Sequence, residues 1–292
     1  MDAVAAIKLL LSASILLLVF ALGLQATFAD ASSLLRNFLR QPNWLLRALI
    51  AMYVVVPAAA VGLALAFELP PTLRAGLLAV AIAPIPPILP GKQLKFGGDR
   101  AYVFGLLVAI TLSSIVVIPL MVLLLDLLFG RDTVFGPGSV LQVVGLSILL
   151  PLATGLAVRQ WLPRLATRIV PWVSRIGTVA LFASVLPILA AAWPTIALLW
   201  GQGVLLACIA LAAAAIAAGH LLGGSDPGVG ATLAIASAMR HPGVALALVA
   251  RHAVEESRGT AVVLLYLLVA TVLTTLYGLR CSRLHARTHP AA

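Results

Sequence analysis

Charge is what this sequence has least of. Only 10% of its 292 residues are Asp, Glu, Lys or Arg, against about 25% in soluble domains. Hydrophobic residues make up 62%, and the mean hydropathy is +1.14. That balance excludes a soluble globular domain. Cysteine is nearly absent too. Cys208 sits inside an apolar run and Cys281 near the end, which gives neither a disulfide framework nor a metal-ligand spacing. No cofactor and no metal is therefore expected. His220, His241 and His252 follow no ligand pattern, and neither H-E-x-x-H nor G-x-S-x-G occurs, so nothing supports an intramembrane enzyme. Acids are outnumbered 9 to 19 by Lys and Arg, for a net charge of +10. The basic residues lie scattered between apolar runs rather than on one face, which reads as membrane topology and not as nucleic-acid binding.

What the chain does have is long apolar runs, which exclude a barrel, whose strands would alternate. The composition predicts an all-α polytopic membrane protein in the lipid bilayer, with one transmembrane domain over 1–292. Nine spans are expected, at about 4–26, 44–67, 72–96, 101–129, 140–161, 171–192, 203–222, 228–254 and 260–279. Each is near or above the roughly 20 residues that cross about 30 Å of hydrocarbon. The first is read as a spanning helix and not a secretory leader, because Lys8 is offset by Asp2 and the apolar run is long for a leader. With the N-terminus outside and the C-terminus in the cytoplasm, thirteen Lys and Arg fall in inside loops. Four fall outside: Arg74, Arg131, Arg251 and Arg258. That asymmetry sets the expected orientation. The inner membrane of a bacterium is the expected location.

Two spans carry anomalies. The stretch Ala234–Ala250 has Arg240, His241, Pro242 and Gly243 set in its middle. An ion at bilayer depth costs about 2.5–3.5 kcal/mol on insertion scales, and a proline removes a backbone donor. Freed backbone groups persist in lipid only inside protein or beside a water-filled cavity. The third span is broken at 84–90 by Pro84, Pro86, Pro87 and Pro90, through which no continuous helix passes. The expected form is a helix to about Ala83, an extended stretch, and a half-helix from about Gly91 to Phe96.

Paired interrupted spans in the two halves of a chain point to a secondary transporter built from inverted repeats, with substrate where the breaks meet. The groups offered there are cationic and donor-rich. Pro242 can open the onward half-helix, whose N-terminus favours anions. Arg240 adds five donors, His241 one or two, and Lys92 a further cation shared with the face of Lys95. A small organic anion is the expected substrate, with Arg240, His241, Pro242, Gly243, Pro86, Pro87, Pro90 and Lys92 as candidate binding residues. The bland alternative is that Arg240 binds only backbone carbonyls or a buried acid.

At these residues the chain resembles the bile acid:sodium symporter family, as a remote member in the nine-span form. Pro84–Pro90 followed by Gly91–Asp99 fits the spacing of the family's first broken helix, roughly P-G-G-x-x-S-N and then nine residues. Ala236–Ala245, ASAMRHPGVA, lies on the family's second pattern, roughly E-x-G-M-Q-N-x-G-L-A. The resemblance implies a panel domain, a core domain and two crossing discontinuous helices. It also implies sodium sites, and there this chain departs. Leu89 and Pro90 stand for Ser-Asn, Ala236 for the acidic residue and Arg240 for Gln. The sodium-binding oxygens are gone and a guanidinium occupies one position, so transport is expected not to be sodium-coupled at those sites. Proton coupling through His241 is one substitute; a neutral hydrogen-bonding histidine is the other. A cation/proton antiporter of similar crossed architecture and a non-transporting membrane sensor module are the competing readings.

Overall fold

A computed structural model describes residues 3–25, 42–129, 145–199, 203–250 and 256–288. Helix α1 is Ala3–Gln25. Helix α2 is compound: Pro42–Ile50, a π-helical turn at Ala51–Val55, then Val56–Ala66. The first broken span supplies α3 (Pro71–Ile82) and α4 (Leu89–Lys95). There follow α5 (Arg100–Phe129), α6 (a π turn Gly145–Leu149 leading into Leu150–Trp161) and α7 (Pro163–Leu199). Helix α8 is Val204–Leu222. The second broken span supplies α9 (Pro227–Ala238) and α10 (Pro242–Ala250), and α11 is Glu256–Thr288.

Among the described residues, seven helices are long and apolar enough to cross a membrane. The two remaining expected spans are not in that set for local reasons. The run 72–96 is divided by its prolines into pieces of 12 and 7 residues. The run 140–161 begins outside the described residues. Two helices exceed their expected limits: α7 starts at Pro163 rather than 171, and α11 continues to Thr288 rather than 279. Pro171 does not start α7 because Leu162, at φ −129° and ψ 60°, already turns the chain and Pro163 opens the helix. Pro171, Pro187 and Pro194 then lie within it, which membrane helices tolerate better than soluble ones.

The helices sort into two groups. Helices α1, α6 and α7 pack on one another. Helix α1 crosses α6 so closely that a Cβ at Gly23 would stand 2.5 Å from the Leu152 carbonyl oxygen, and one at Gly155 2.5 Å from that of Phe20. The remaining helices gather around the second broken span. Of its most apolar 18-residue window 83% is buried, against 22–44% for the other six candidates. Helix α8 runs along α9, while α3 and α10 both lie on α11. These two groups occupy the places of the expected panel and core.

Close contacts gather the described helix ends at two ends of the core. At one end Gly97 meets Gly228, Arg47 approaches Gly224, and His220 Nδ1 lies 2.7 Å from the Tyr277 hydroxyl. At the other, Gly203 packs on Phe67, Gly259 on the Thr72 carbonyl, and Arg74 stacks 4.4 Å above the Phe129 ring. Helix starts at the first end are chemically marked. The Asp226 carboxylate accepts from the backbone N–H of Gly228 (2.8 Å) and Val229 (3.1 Å), with Pro227 in the first turn. This is a standard N-cap, and it orients α9 toward the interior.

Candidate functional site

The site is best built from carbonyls that prolines leave without donors. In an α-helix the carbonyl of residue i takes the N–H of residue i+4, and a proline at i+4 has none to give. The break after α3 begins at Ala83, whose backbone is extended (φ −63°, ψ 145°). The residues three and four further on are Pro86 and Pro87, so the Ala83 carbonyl has no local donor. In α2 the π turn passes the Val56 N–H to the Ala51 carbonyl. The next donor in that register would come from Pro57, so the Met52 carbonyl is stranded as well. In α9 the Ala238 carbonyl faces Pro242, the first residue of α10.

Each stranded oxygen receives a donor from elsewhere. Arg240 Nη1 donates to the Ala83 carbonyl at 3.0 Å, and Nη2 to the Met52 carbonyl at 3.1 Å. The His241 backbone N–H donates to the Pro84 carbonyl at 2.8 Å. The Tyr266 hydroxyl, from α11, donates to the Ala238 carbonyl at 2.8 Å. Residues 240 and 241 therefore join the two breaks directly and tie both to α2. Arg240 is 0% exposed and His241 2%. A buried guanidinium is tolerable only with such partners, and here they are carbonyl dipoles rather than a carboxylate.

Residues 240 and 241 each keep a spare donor: Arg240 Nε and His241 Nε2 are buried with no partner among the described residues, as is the nearby Ser237 hydroxyl. His241 Nδ1 accepts from the Val244 N–H at 3.4 Å, so the proton of a neutral ring resides on Nε2 and points it outward as a donor. The same contact makes His241 the cap of α10, and the Ala245 N–H is taken by the His241 carbonyl at 3.2 Å. The helix N-terminus is thus less open than the sequence suggests, and residues 240 and 241 offer their side-chain nitrogens instead.

The other candidate residues are distributed around this centre. Pro86 and Pro90 are buried and Pro87 half-buried; the Pro86 carbonyl accepts from Leu89 at 3.0 Å, which starts α4. Gly243 abuts Ile15 of α1, whose side chain lies where a Cβ would be, with His241 Cε1 3.4 Å from that point. Lys92 is brought to α11 instead: its Nζ donates to Thr274 Oγ1 at 2.8 Å and to the Thr271 carbonyl at 3.3 Å. Next to it Gln93 donates to the Thr232 carbonyl at 2.9 Å, fastening α4 to α9.

Sequence reasoning did not assign roles to Tyr266, Met52, Gln93 or Ile15. For Tyr266 a signal existed, since any carbonyl four residues before a membrane proline needs a donor, but nothing local names which tyrosine supplies it. The bond is testable on its own. Tyr266→Phe removes only the hydroxyl and strands the Ala238 carbonyl, a loss of about 1–2 kcal/mol. Melting of the purified variant a few degrees below wild type is the expected result, and an unchanged melting temperature would show that the bond is dispensable.

Two discontinuous helices meeting inside a helical bundle, with their free backbone groups satisfied by protein, define a polytopic membrane protein of the crossed-helix class. The family model for the Sodium Bile acid symporter family matches residues 13–199, and the chain belongs to that family. The match includes the first break; residues 240–243 lie beyond it. The chain is also similar to an uncharacterised sodium-dependent transporter, YocS, of Bacillus subtilis (strain 168), at 28% identity over 173 residues. That alignment covers 58% of this chain and 51% of the relative, so the chain spans about half the length of the curated relative it matches.

Proposed function

We propose that this chain is a secondary transporter, not an enzyme, that carries a small organic anion across the bilayer by alternating access. In this reading Arg240 stands where such a protein would otherwise hold a coupling cation. Family membership supports the transporter class. One observation supports the role of Arg240 in coupling: its guanidinium donates to carbonyls freed by a helix break and a π turn. Unwound carbonyls at a midplane crossing are where secondary transporters coordinate cations, and here a covalently attached cation fills the place. The anion's head group docks at Arg240 Nε and His241 Nε2, two buried donors without a partner among the described residues. Pro86, Pro87, Pro90, Pro242 and Gly243 shape the walls, and Lys92 is a second cationic group further along α4. In this reading the N-terminus lies outside and the C-terminus in the cytoplasm of a host bacterium, which the excess of Lys and Arg in the loops assigned inside supports.

A second reading, sodium-coupled transport, draws support from the relative's name. The two are separated by uptake of a panel of labelled organic anions into proteoliposomes, with and without sodium and proton gradients. Uptake that proceeds equally when choline replaces sodium is the expected result. Stimulation by an inward proton gradient would add His241 as the coupling group. Uptake that collapses without sodium would overturn the role assigned to Arg240 and leave the family's usual coupling in place.

A further inference from the structure

We propose that the outer face of α7 is a binding site for an anionic phospholipid. The site shares no residue with the helix crossing and is independent of the transport reading. Arg164, Arg168 and Arg175 are all exposed. At about 100° per residue they fall within roughly 40° of arc on α7. Of the buried residues of this helix, Ala166, Gly177, Ala180 and Ser184 fall on the opposite side, and Gly177 is pressed against Leu17 and Leu18 of α1. The arginine stripe therefore points away from the protein. Further along the same arc come Val179, Phe182 and Leu186, which are 62%, 52% and 58% exposed.

One helix face thus carries three cations followed by an uninterrupted apolar track, the shape of a phospholipid read from head group to acyl chain. The length of α7 sets the depth. Its 37 residues extend about 55 Å against a hydrocarbon core of about 30 Å, so part of it stands in the head-group layer, and the arginines mark the first turns as that part. Trp172, 64% exposed, flanks the arginines at about 80° on the same arc, as interfacial tryptophans do. Arg175 lies deeper and reaches back along its own stem. The charge is uncompensated in sequence: no Asp or Glu occurs between residues 133 and 225. Arginines needed for topology alone would require the right loop, not a shared arc.

The test uses the full chain in detergent, melted with increasing cardiolipin, phosphatidylglycerol or phosphatidylcholine. The expected result is a saturable rise in melting temperature of several degrees with the two anionic lipids and little with phosphatidylcholine. The Arg164→Gln/Arg168→Gln variant should lose most of that rise while melting like wild type in phosphatidylcholine. The Arg164→Lys/Arg168→Lys variant, which keeps the charge, should retain part of it. Glycerol phosphate, a head group without chains, should give no rise, because the track along Val179, Phe182 and Leu186 would be unfilled. An equal response to phosphatidylcholine, or an undiminished response of the glutamine variant, would overturn the proposal. A full response to glycerol phosphate would do the same, showing a free-anion site in place of a lipid site.

Discussion

Replacing Arg240 by methionine is expected to lower the melting temperature of the purified protein by on the order of 10 °C and to abolish uptake. A desolvated cation is itself unfavourable, yet its removal here is destabilising. A buried ion pair exchanged for apolar side chains is often neutral or stabilising, whereas removing one partner alone costs about 3–5 kcal/mol. Here only one partner can be removed. The carbonyls of Ala83 and Met52 belong to the backbone, and prolines deny them local donors whatever stands at position 240. Methionine fills the volume and leaves both oxygens unsatisfied, so destabilisation wins. At about 2–4 °C per kcal/mol for a chain of this order of size, 3–5 kcal/mol gives the stated shift. Arg240→Lys should fall between the two, since a single ammonium replaces a fork that reaches two separated oxygens.

The complementary experiment starts from Arg240→Ala, which opens a cavity lined by the same oxygens. Methylguanidinium at millimolar concentration should raise the melting temperature of this variant saturably and leave wild type unchanged. Sodium should do so more weakly, again only in the variant, because bare carbonyls accept any small cation. If Arg240→Met melts like wild type and neither ion affects Arg240→Ala, the guanidinium is not what holds the crossing together.

The breaks and the arginine were legible in the sequence because both are local chemistry. Four prolines within 84–90, and a basic residue before Pro242, mark themselves without reference to any other part of the chain. What the arginine bonds to was not legible. Its acceptors lie 157 and 188 residues away, and one of them is freed where a π turn meets Pro57 in α2. That this turn presents Met52 to residue 240 depends on how α2 packs against the core. The same limit applies to Lys92. Its basic charge suggested a place beside Arg240, but a six-residue break that ends in a turn separates α3 from α4, and α4 is turned toward Thr271 and Thr274. Helix ends were misjudged where polar turns continue an apolar helix past the hydrocarbon, as at Pro163 and beyond Leu279. Hydropathy marks the membrane limit of a helix, not the limit of its hydrogen bonding.

The second large effect is expected at Gly219, where no chemistry of the site is touched. Helix α8 ends in Gly219-x-x-x-Gly223, and α9 faces it with Gly230-x-x-x-Ala234, small residues at the spacing that lets membrane helices approach closely. A Cβ at Gly219 would stand 2.5 Å from Ala234 Cα, 2.5 Å from the Leu233 carbonyl oxygen and 2.6 Å from the Ala234 nitrogen. All three are backbone atoms, so no rotamer change relieves the contact, and α9 must move as a body. Its far end carries the second break. A displacement approaching an ångström there would stretch the Arg240 bonds at 3.0 and 3.1 Å beyond hydrogen-bonding range. Gly219→Ala should therefore weaken the fold measurably, and Gly219→Val should prevent accumulation of a monodisperse protein. Fluorescence-detected size-exclusion chromatography of membrane extracts reads both. Ala217, exposed on the same helix, supplies the control: Ala217→Val adds the same bulk toward lipid and should elute and melt like wild type. A Gly219→Val protein that behaves like that control would mean that α8 and α9 are not held at this distance, and that the crossing does not depend on their contact.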